Sequence, residues 1–413
     1  MKILLIYPQP DFNKSPRFGF SYELLLIATI LKKGHLVEIK DFSCEKYDEQ
    51  WLLKAREEKE YDLVLVECDS YALKRSENLI NAKKIIDLFK GYIQIVAYGH
   101  YCYIQKKDFY EADYTIKQND VNMIIDFVNS VSLKYKISNI EKYDELPFCD
   151  RKMLGKIDFY KNNKSTLLQT SKGCENTCVF CQRKGWQNKY ITHSDEYVIS
   201  ELRKIKEEGF KNVWIIDENF SFDLVRAKRL LNRMSEESVI EEMNFFISSW
   251  ANIDYEFIDL CVKCNVKIIS FGIESGSEDI LRFYRKNINL DIVPKLIQYA
   301  NKRGIFTVGN FIIGAPIETD QTINMTFNLI KKCGFDQVNI KNLDYMIGSE
   351  LYESLKKEYK IEDHIFACSE YGLTKYTLDE MKRIKDAFLD EYYQEHRKVL
   401  LKKIIQFGKP YYF

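Results

Sequence analysis

The chain has 413 residues, with 61 basic and 61 acidic side chains. That is long enough for two or three domains with sizeable cores. The balanced charge gives no support to nucleic acid as the main partner, and no window approaches the length of a membrane-spanning helix. Eleven cysteines, an odd number spread thinly, read as reduced thiols of a cytoplasmic protein rather than a disulfide framework. The apolar run from Met1 to Tyr7 stops at Pro8 and lacks the build of a signal peptide.

Short apolar runs alternate with amphipathic stretches over residues 1–135. Strands are predicted at Lys2–Tyr7, Leu36–Asp41, Asp62–Glu67, Tyr92–Tyr98 and Tyr114–Lys117. Helices are predicted at Tyr22–Lys33, ended by Gly34, at Trp51–Lys59, at Ser76–Lys90 and from Val121. Such alternation implies a doubly wound, Rossmann-like parallel sheet, whose ligands bind beyond the carboxyl ends of its strands. Residues 136–164 are charged, carry Leu146-Pro147-Phe148, and read as a linker.

A second β/α series fills residues 165–345, with strands predicted at Thr166–Thr170, Asn212–Ile216, Asn244–Ser248, Ile268–Gly272, Thr307–Ile313 and Gln337–Ile340. Helices fill the intervals, among them Asp195–Glu208 and Asp254–Cys264. Six strands with interposed helices fit a partial TIM-like barrel, whose active site lies at the carboxyl ends of the strands. Residues 346–413 read as a helical, charged region, with Leu378–Val399 its clearest helix.

Directly after the first barrel strand come Cys174, Cys178 and Cys181, in C-x3-C-x2-C spacing. Three thiolates on one loop can hold three irons of a [4Fe-4S] cluster and leave the fourth iron open to a small molecule. The competing reading is a zinc site completed by a distant ligand such as His193, although zinc sites usually pair C-x2-C with a second close pair, and none follows.

The spacing, together with Phe180 before the last cysteine, resembles the radical S-adenosylmethionine (SAM) superfamily. The resemblance implies a (β/α)6 barrel, SAM on the open iron, and reductive cleavage to a 5′-deoxyadenosyl radical. It continues in three strings. Asp217-Glu218-Asn219-Phe220 ends the second strand, like the acidic motif of cobalamin-linked members, and implies contacts to the SAM ammonium. Phe271-Gly272-Ile273-Glu274-Ser275-Gly276 ends the fourth strand, with Glu274 implied for the ribose or the ammonium. The Gly309–Thr319 string, turned by Gly314 and Pro316, matches the adenine-cradling fifth strand. Ser248 and Ser249 end the third strand and are assigned to the SAM carboxylate. Trp250-Ala251-Asn252 stands where many relatives carry an arginine. Lys286 lies where relatives often have a basic residue, but it reads first as an ordinary exposed lysine.

The first domain resembles the cobalamin-binding domain that precedes the barrel in one radical SAM branch. The matching pieces are Ile6-Tyr7-Pro8, Arg17-Phe18-Gly19-Phe20, Lys33-Gly34-His35 and Gly99-His100. No D-x-H-x-x-G signature is present, and Tyr98 stands where a paired glycine is usual. Asp69, Ser70, Gly99 and His100 are the expected cobalamin contacts, and the alternative is a domain that kept the fold and lost the cofactor.

These resemblances imply a radical SAM enzyme that carries a [4Fe-4S] cluster, SAM and cobalamin, is fed by a reductant such as flavodoxin or ferredoxin, and acts on a small-molecule or peptide substrate. Cobalamin-dependent methyl transfer or rearrangement at an unactivated carbon is the leading reaction. A cobalamin-independent epimerase or peptide-modifying enzyme needs a hydrogen donor, for which Cys333 and Cys368 are the candidates. A non-catalytic cobalamin- or metal-binding protein is the third reading. Cys261 and Cys264, a lone C-x2-C pair on a helix, read as core packing.

Overall fold

The computed structural model describes residues 1–8, 20–42, 47–68, 77–106, 108–109, 111–154, 165–185, 189–237, 240–358 and 366–407. They fall into two compact units. The first is Met1–Leu167 with Gly185–Gln187 and Thr192–Tyr197, and the second is Leu168–Lys184, Asn188–Ile191 and Val198–Phe413. No helix among the described residues is long and apolar enough to cross a membrane.

In the first unit, β1 (Lys2–Tyr7), β2 (Leu36–Asp41), β3 (Leu63–Glu67), β4 (Gln94–Tyr98) and β5 (Tyr114–Thr115) form a sheet in the order β2-β1-β3-β4-β5, with every pair parallel. β1 and β3 are buried nearly end to end, as expected for strands covered on both faces by crossover helices. Those helices are α1 (Tyr22–Leu31), α2 (Glu49–Glu57), α3 (Glu77–Phe89), the short α4 (His100–Gln105) and α5 (Val121–Val131). Local chemistry sets their starts: Ser21, Asp48 and Asp120 each accept a backbone N–H of the first turn.

The stretch expected to be a linker is anchored to this unit. Asn129 exchanges two hydrogen bonds with the backbone of Ile137, at 2.7 and 2.8 Å, and Asn122 does the same with Ile140. Two side-chain amides thus stand in for a neighbouring strand edge, because an amide carries both a donor and an acceptor. The fully buried Arg151 donates to Thr166 Oγ1 (2.7 Å) and to the carbonyls of Leu167 and Cys149.

The second sheet holds β6 (Ser165–Leu168), β7 (Asn212–Ile215), β8 (Asn244–Trp250), β9 (Val266–Glu274), β10 (Phe306–Ile313) and β11 (Gln337–Asn342), ordered as they occur in the chain. β7 through β11 pair in parallel. Between the strands run α6 (Asp195–Glu207), α7 (Leu224–Glu236), α8 (Tyr255–Lys263), α9 (Glu278–Tyr284), α10 (Val293–Lys302) and α11 (Asp320–Cys333), and α12 (Glu350–Glu358) follows β11. This is an open six-stranded β/α barrel, so side chains at the strand carboxyl ends share one rim.

The 30-residue α13 (Leu378–Phe407) is about 45 Å long at 1.5 Å per residue and covers the last strand. Tyr393 Oη accepts the Val338 N–H (2.9 Å), which satisfies a donor of β11. At its far end the buried Lys403 pairs with Asp336 and donates to the Ile305 carbonyl (2.6 Å). Leu400 and Ile404 pack on the core cluster of Phe246, Ile268, Phe306 and Val308.

Candidate active site

The cysteine loop leaves β6 at its carboxyl end, and the residues after β7 hold it from both sides. Asp217 is fully buried and accepts the Thr170 N–H (2.7 Å), the Thr170 hydroxyl (2.5 Å) and the Ser171 hydroxyl (2.6 Å). Arg226 of α7 donates to the Thr170 side chain (3.0 Å) and carbonyl (2.8 Å) and lies 3.8 Å from Asp217. Burial pushes the Asp217 carboxyl above its ordinary range, while Arg226 and the hydroxyl donors pull it back. Glu218 accepts the Gly173 N–H (2.8 Å) through one oxygen and pairs with Arg183 through the other. One acidic dipeptide therefore grips the loop just before Cys174 and just after Cys181.

Within the loop, Cys178 is buried and Cys174 and Cys181 are half-buried. The Asn176 amide donates to Cys174 Sγ at 3.2 Å. Burial pushes the Cys178 thiol up to about 12, opposed by the Lys286 charge, and also raises Cys181, opposed by Arg183. The outer part of the loop is tied down by backbone bonds: Val179 N–H donates to the Tyr284 carbonyl (3.3 Å), and Leu351 N–H donates to the Val179 carbonyl (3.1 Å). Phe180 packs edge-on to Tyr284, with ring centres 5.1 Å apart.

Three thiols on a loop pinned at both ends, with Lys286 and Arg183 beside them, fit the chemistry of an iron–sulfur cluster, whose ligands are thiolates. Among the described residues, no three His, Cys, Asp or Glu side chains are gathered as ligands of a single metal ion. His193, the suggested fourth zinc ligand, is engaged elsewhere. Its Nδ1 is 2.9 Å from Asp144, and its ring stacks on Tyr143 and Tyr197.

The other rim residues divide into those engaged by the protein and those that face one another as a polar cluster. Asn219 Oδ1 accepts from the Ser221 hydroxyl and the Trp250 N–H, both at 3.1 Å. Ser249 Oγ donates to the Trp250 carbonyl (2.7 Å) and lies 2.6 Å from Ser221 Oγ. Ser275 and Gly276 bond Thr326 of α11. A Cβ on Gly276 would come within 2.6 Å of the Met325 carbonyl oxygen, so this glycine serves close helix packing. Gly314 has φ +91° and donates to the buried Glu318 (3.2 Å). Asp217, Asn219, Ser249, Ser275 and Gly314, assigned from the sequence to SAM, thus serve the rim's own framework. Ser248 is half-buried and its carbonyl accepts the Phe220 N–H.

Glu274 stands apart. It follows a bulge in β9 and adopts φ +71°, a conformation costly for a residue with a side chain. Its carboxylate takes the Lys286 ammonium at 2.7 Å, and that ammonium lies 4.2 Å over the Trp250 ring. Lys286 is 5% exposed, so the reading of it as a surface lysine is corrected. A Cβ on Gly272 would reach within 2.8 Å of Glu274 Oε1, so this glycine clears space for the ion pair.

The two candidate hydrogen donors separate. Cys333 ends α11, at the strand amino-terminal side of the barrel, which removes it from the rim. Cys368 donates its backbone N–H to the Leu343 carbonyl just after β11, on the rim side. Burial pushes both thiols up to about 12. Cys261 and Cys264 are fully buried, and Cys264 Sγ lies 2.9 Å from the Leu231 carbonyl, as core packing requires.

In the first unit, Asp69 and Ser70 lie outside the described residues, as do Arg17, Phe18 and Gly19. Gly99 has φ +109°, and a Cβ there would lie 2.9 Å from the Cys68 carbonyl oxygen. Its freedom is used by the backbone of the neighbouring strand end, which is bonded across by Cys68 N–H to the Tyr98 carbonyl (2.6 Å) and Tyr101 N–H to the Cys68 carbonyl (3.0 Å). The fully buried Tyr98 reaches Glu67 (3.4 Å), which also accepts the Ser21 hydroxyl (2.7 Å). His100 is half-buried and edge-on to Tyr103. The ends of β3 and β4 are thus bonded to each other, as neighbouring parallel strands are.

Residues 168–330 match the family model of the radical SAM superfamily. An uncharacterized methyltransferase of Pyrococcus horikoshii is 29% identical over 60% of this chain and 53% of its own length. The cytidylyl-2-hydroxyethylphosphonate methyltransferase of Streptomyces wedmorensis is 28% identical over 45% of this chain and 36% of its own. The chain thus spans about half or less of these curated relatives. Among solved structures, the radical SAM methyltransferase TsrM of Kitasatospora setae, with cobalamin and a [4Fe-4S] cluster bound, superimposes with TM-score 0.73 at 15% identity, covering 86% of this chain and 78% of that one. That likeness shows a shared fold.

Proposed function

We propose that this chain, whose barrel belongs to the radical SAM superfamily, is an enzyme that cleaves SAM reductively and modifies an unactivated carbon, with methyl transfer as the leading outcome. The observation that carries the reading is the double grip of Asp217 and Glu218 on the loop of Cys174, Cys178 and Cys181. A loop fixed this firmly at a barrel rim is prepared for a ligand that three cysteines share. Cys174, Cys178 and Cys181 would hold the cluster, which would supply one-electron chemistry, fed by a flavodoxin- or ferredoxin-type donor, for the reductive cleavage of SAM.

The protein's own residues bind and orient. Asp217, Arg226 and Glu218 hold the loop. Glu274 presents a carboxylate to the ribose or ammonium of SAM, its strained backbone aiming it inward, and Ser248 offers a polar contact on the neighbouring strand. Methyl transfer is favoured because the two curated relatives are named methyltransferases, and cobalamin is the proposed methyl carrier because TsrM, which shares the fold, holds it. The substrate class is a small molecule or a peptide.

Anaerobic reconstitution tests the reading. Four irons and four sulfides per chain are expected, followed by 5′-deoxyadenosine once SAM and a strong reductant are added. Production of S-adenosylhomocysteine supports methyl transfer. Absence of SAM cleavage by a fully loaded protein would sink the enzyme reading. Hydroxocobalamin that fails to co-elute with the chain would remove the cobalamin part alone.

A further inference from the structure

The ion pair at the end of β9 has a task that its geometry defines. Lys286 is buried, held by Glu274 at 2.7 Å and backed by the Trp250 ring at 4.2 Å. The same chain segment is joined to the cysteine loop: Tyr284, two residues earlier, accepts the Val179 N–H and packs on Phe180. Gly272 leaves the room the pair needs, since a Cβ there would come within 3.1 Å of the ammonium. A positively charged group is thus buried two residues from the carbonyl that holds the middle of the loop, rather than at the surface.

We propose that the Lys286 ammonium raises the reduction potential of the cluster held by Cys174, Cys178 and Cys181, and that Glu274 sets the opposing bias. The proposal rests on the cluster reading given above. Reduction adds one negative charge to a site already rich in thiolate charge. A nearby cation favours that added charge and a nearby anion opposes it. Burial keeps both fields from being screened by salt. The pair is therefore a positioning and tuning device, with two members pulling in contrary directions.

The test uses the full chain, reconstituted anaerobically with iron and sulfide, without SAM, and titrated with reductant while the reduced cluster is followed by electron paramagnetic resonance. Lys286→Met is expected to lower the one-electron reduction constant at least tenfold, a shift of about 59 mV to more negative potential. Lys286→Arg, which keeps the charge, stays near the wild type. Glu274→Gln shifts to more positive potential. Opposite signs are the signature, because a purely structural pair would not separate them. Coincidence of Lys286→Met with the wild type at full iron content overturns the proposal, and so does a shift of the same sign in both variants. If Lys286→Met does not retain its iron, Glu274→Gln decides alone, and an unchanged or more negative potential overturns the proposal. A wild-type chain that assembles no cluster overturns the cluster reading itself.

Discussion

The two parallel sheets of this chain finish their strands in opposite ways. In the first unit, the ends of β3 and β4 close on each other. Tyr98 fills the interior, Glu67 binds Ser21, and Gly99 lets backbone meet backbone. In the second, the strand ends reach outward to grip a loop: Asp217 and Glu218 extend beyond β7 to Thr170, Ser171, Gly173 and Arg183. Among the described residues, the same architecture pairs strand end with strand end in one sheet and strand end with loop in the other. The difference lies in whether strand-end polar groups satisfy each other or satisfy a neighbouring loop.

Four experiments break or sharpen this contrast. The largest effect belongs to the rim: Cys178→Ala should abolish cluster assembly, read as iron content and loss of the charge-transfer absorbance, while leaving the first unit folded by circular dichroism. Retention of full iron would refute the ligand assignment. Next, Asp217→Ala leaves Arg226 buried without its carboxylate. A loss of about 3–5 kcal/mol is expected, measured by chemical denaturation, together with weakened iron retention. A cost near zero would mean that the grip is incidental.

In the first unit, Gly99→Ala places a Cβ against the Cys68 carbonyl at positive φ and should cost about 1–3 kcal/mol, with amide exchange accelerating at Cys68 and Tyr101. Unchanged exchange would show that this end is looser than its packing indicates. The smallest effect is a pH dependence in the first unit. Burial tends to raise the Asp144 carboxyl, but bonds from Ser194 and His193 outweigh it and hold the group below its usual range. A carboxyl depressed on folding stabilises the native state above its unfolded pKa, and that contribution disappears as pH falls through the folded value. Asp144 is 42% exposed at its side chain, so after solvent screening Asp144→Asn should cost only about 0.5–1 kcal/mol, with the difference fading as pH falls below about 4. A difference that persists in acid would assign the contact to shape rather than charge.

Much of this was legible in the chain itself. Apolar alternation placed all eleven strands of the two sheets, because buried parallel strands read as short hydrophobic runs between helical stretches. The cysteine spacing marked the loop. The reading missed the partners of that loop. Arg226 belongs to the inward stripe of α7 with Ala227, Leu230, Leu231 and Met234, so a charged residue on an apolar face was the available signal. Lys286 stands where relatives often carry a basic residue, but its burial was not legible, since only the fold, with the bulge and positive φ at Glu274, brings the carboxylate to it.

The sequence by itself determined the order of elements and the spacing of the three cysteines after the first barrel strand, because periodicity and spacing are local properties. Tertiary structure alone decided which polar residues are free to act. Asp217, Asn219 and Ser249 take hydrogen bonds from neighbouring segments, Cys333 ends a helix at the amino-terminal side of the strands, and Lys286 is buried against Glu274. A side chain's partners come from segments tens of residues away, and competition among those partners for one buried carboxylate or hydroxyl is settled only when the strands are brought into register.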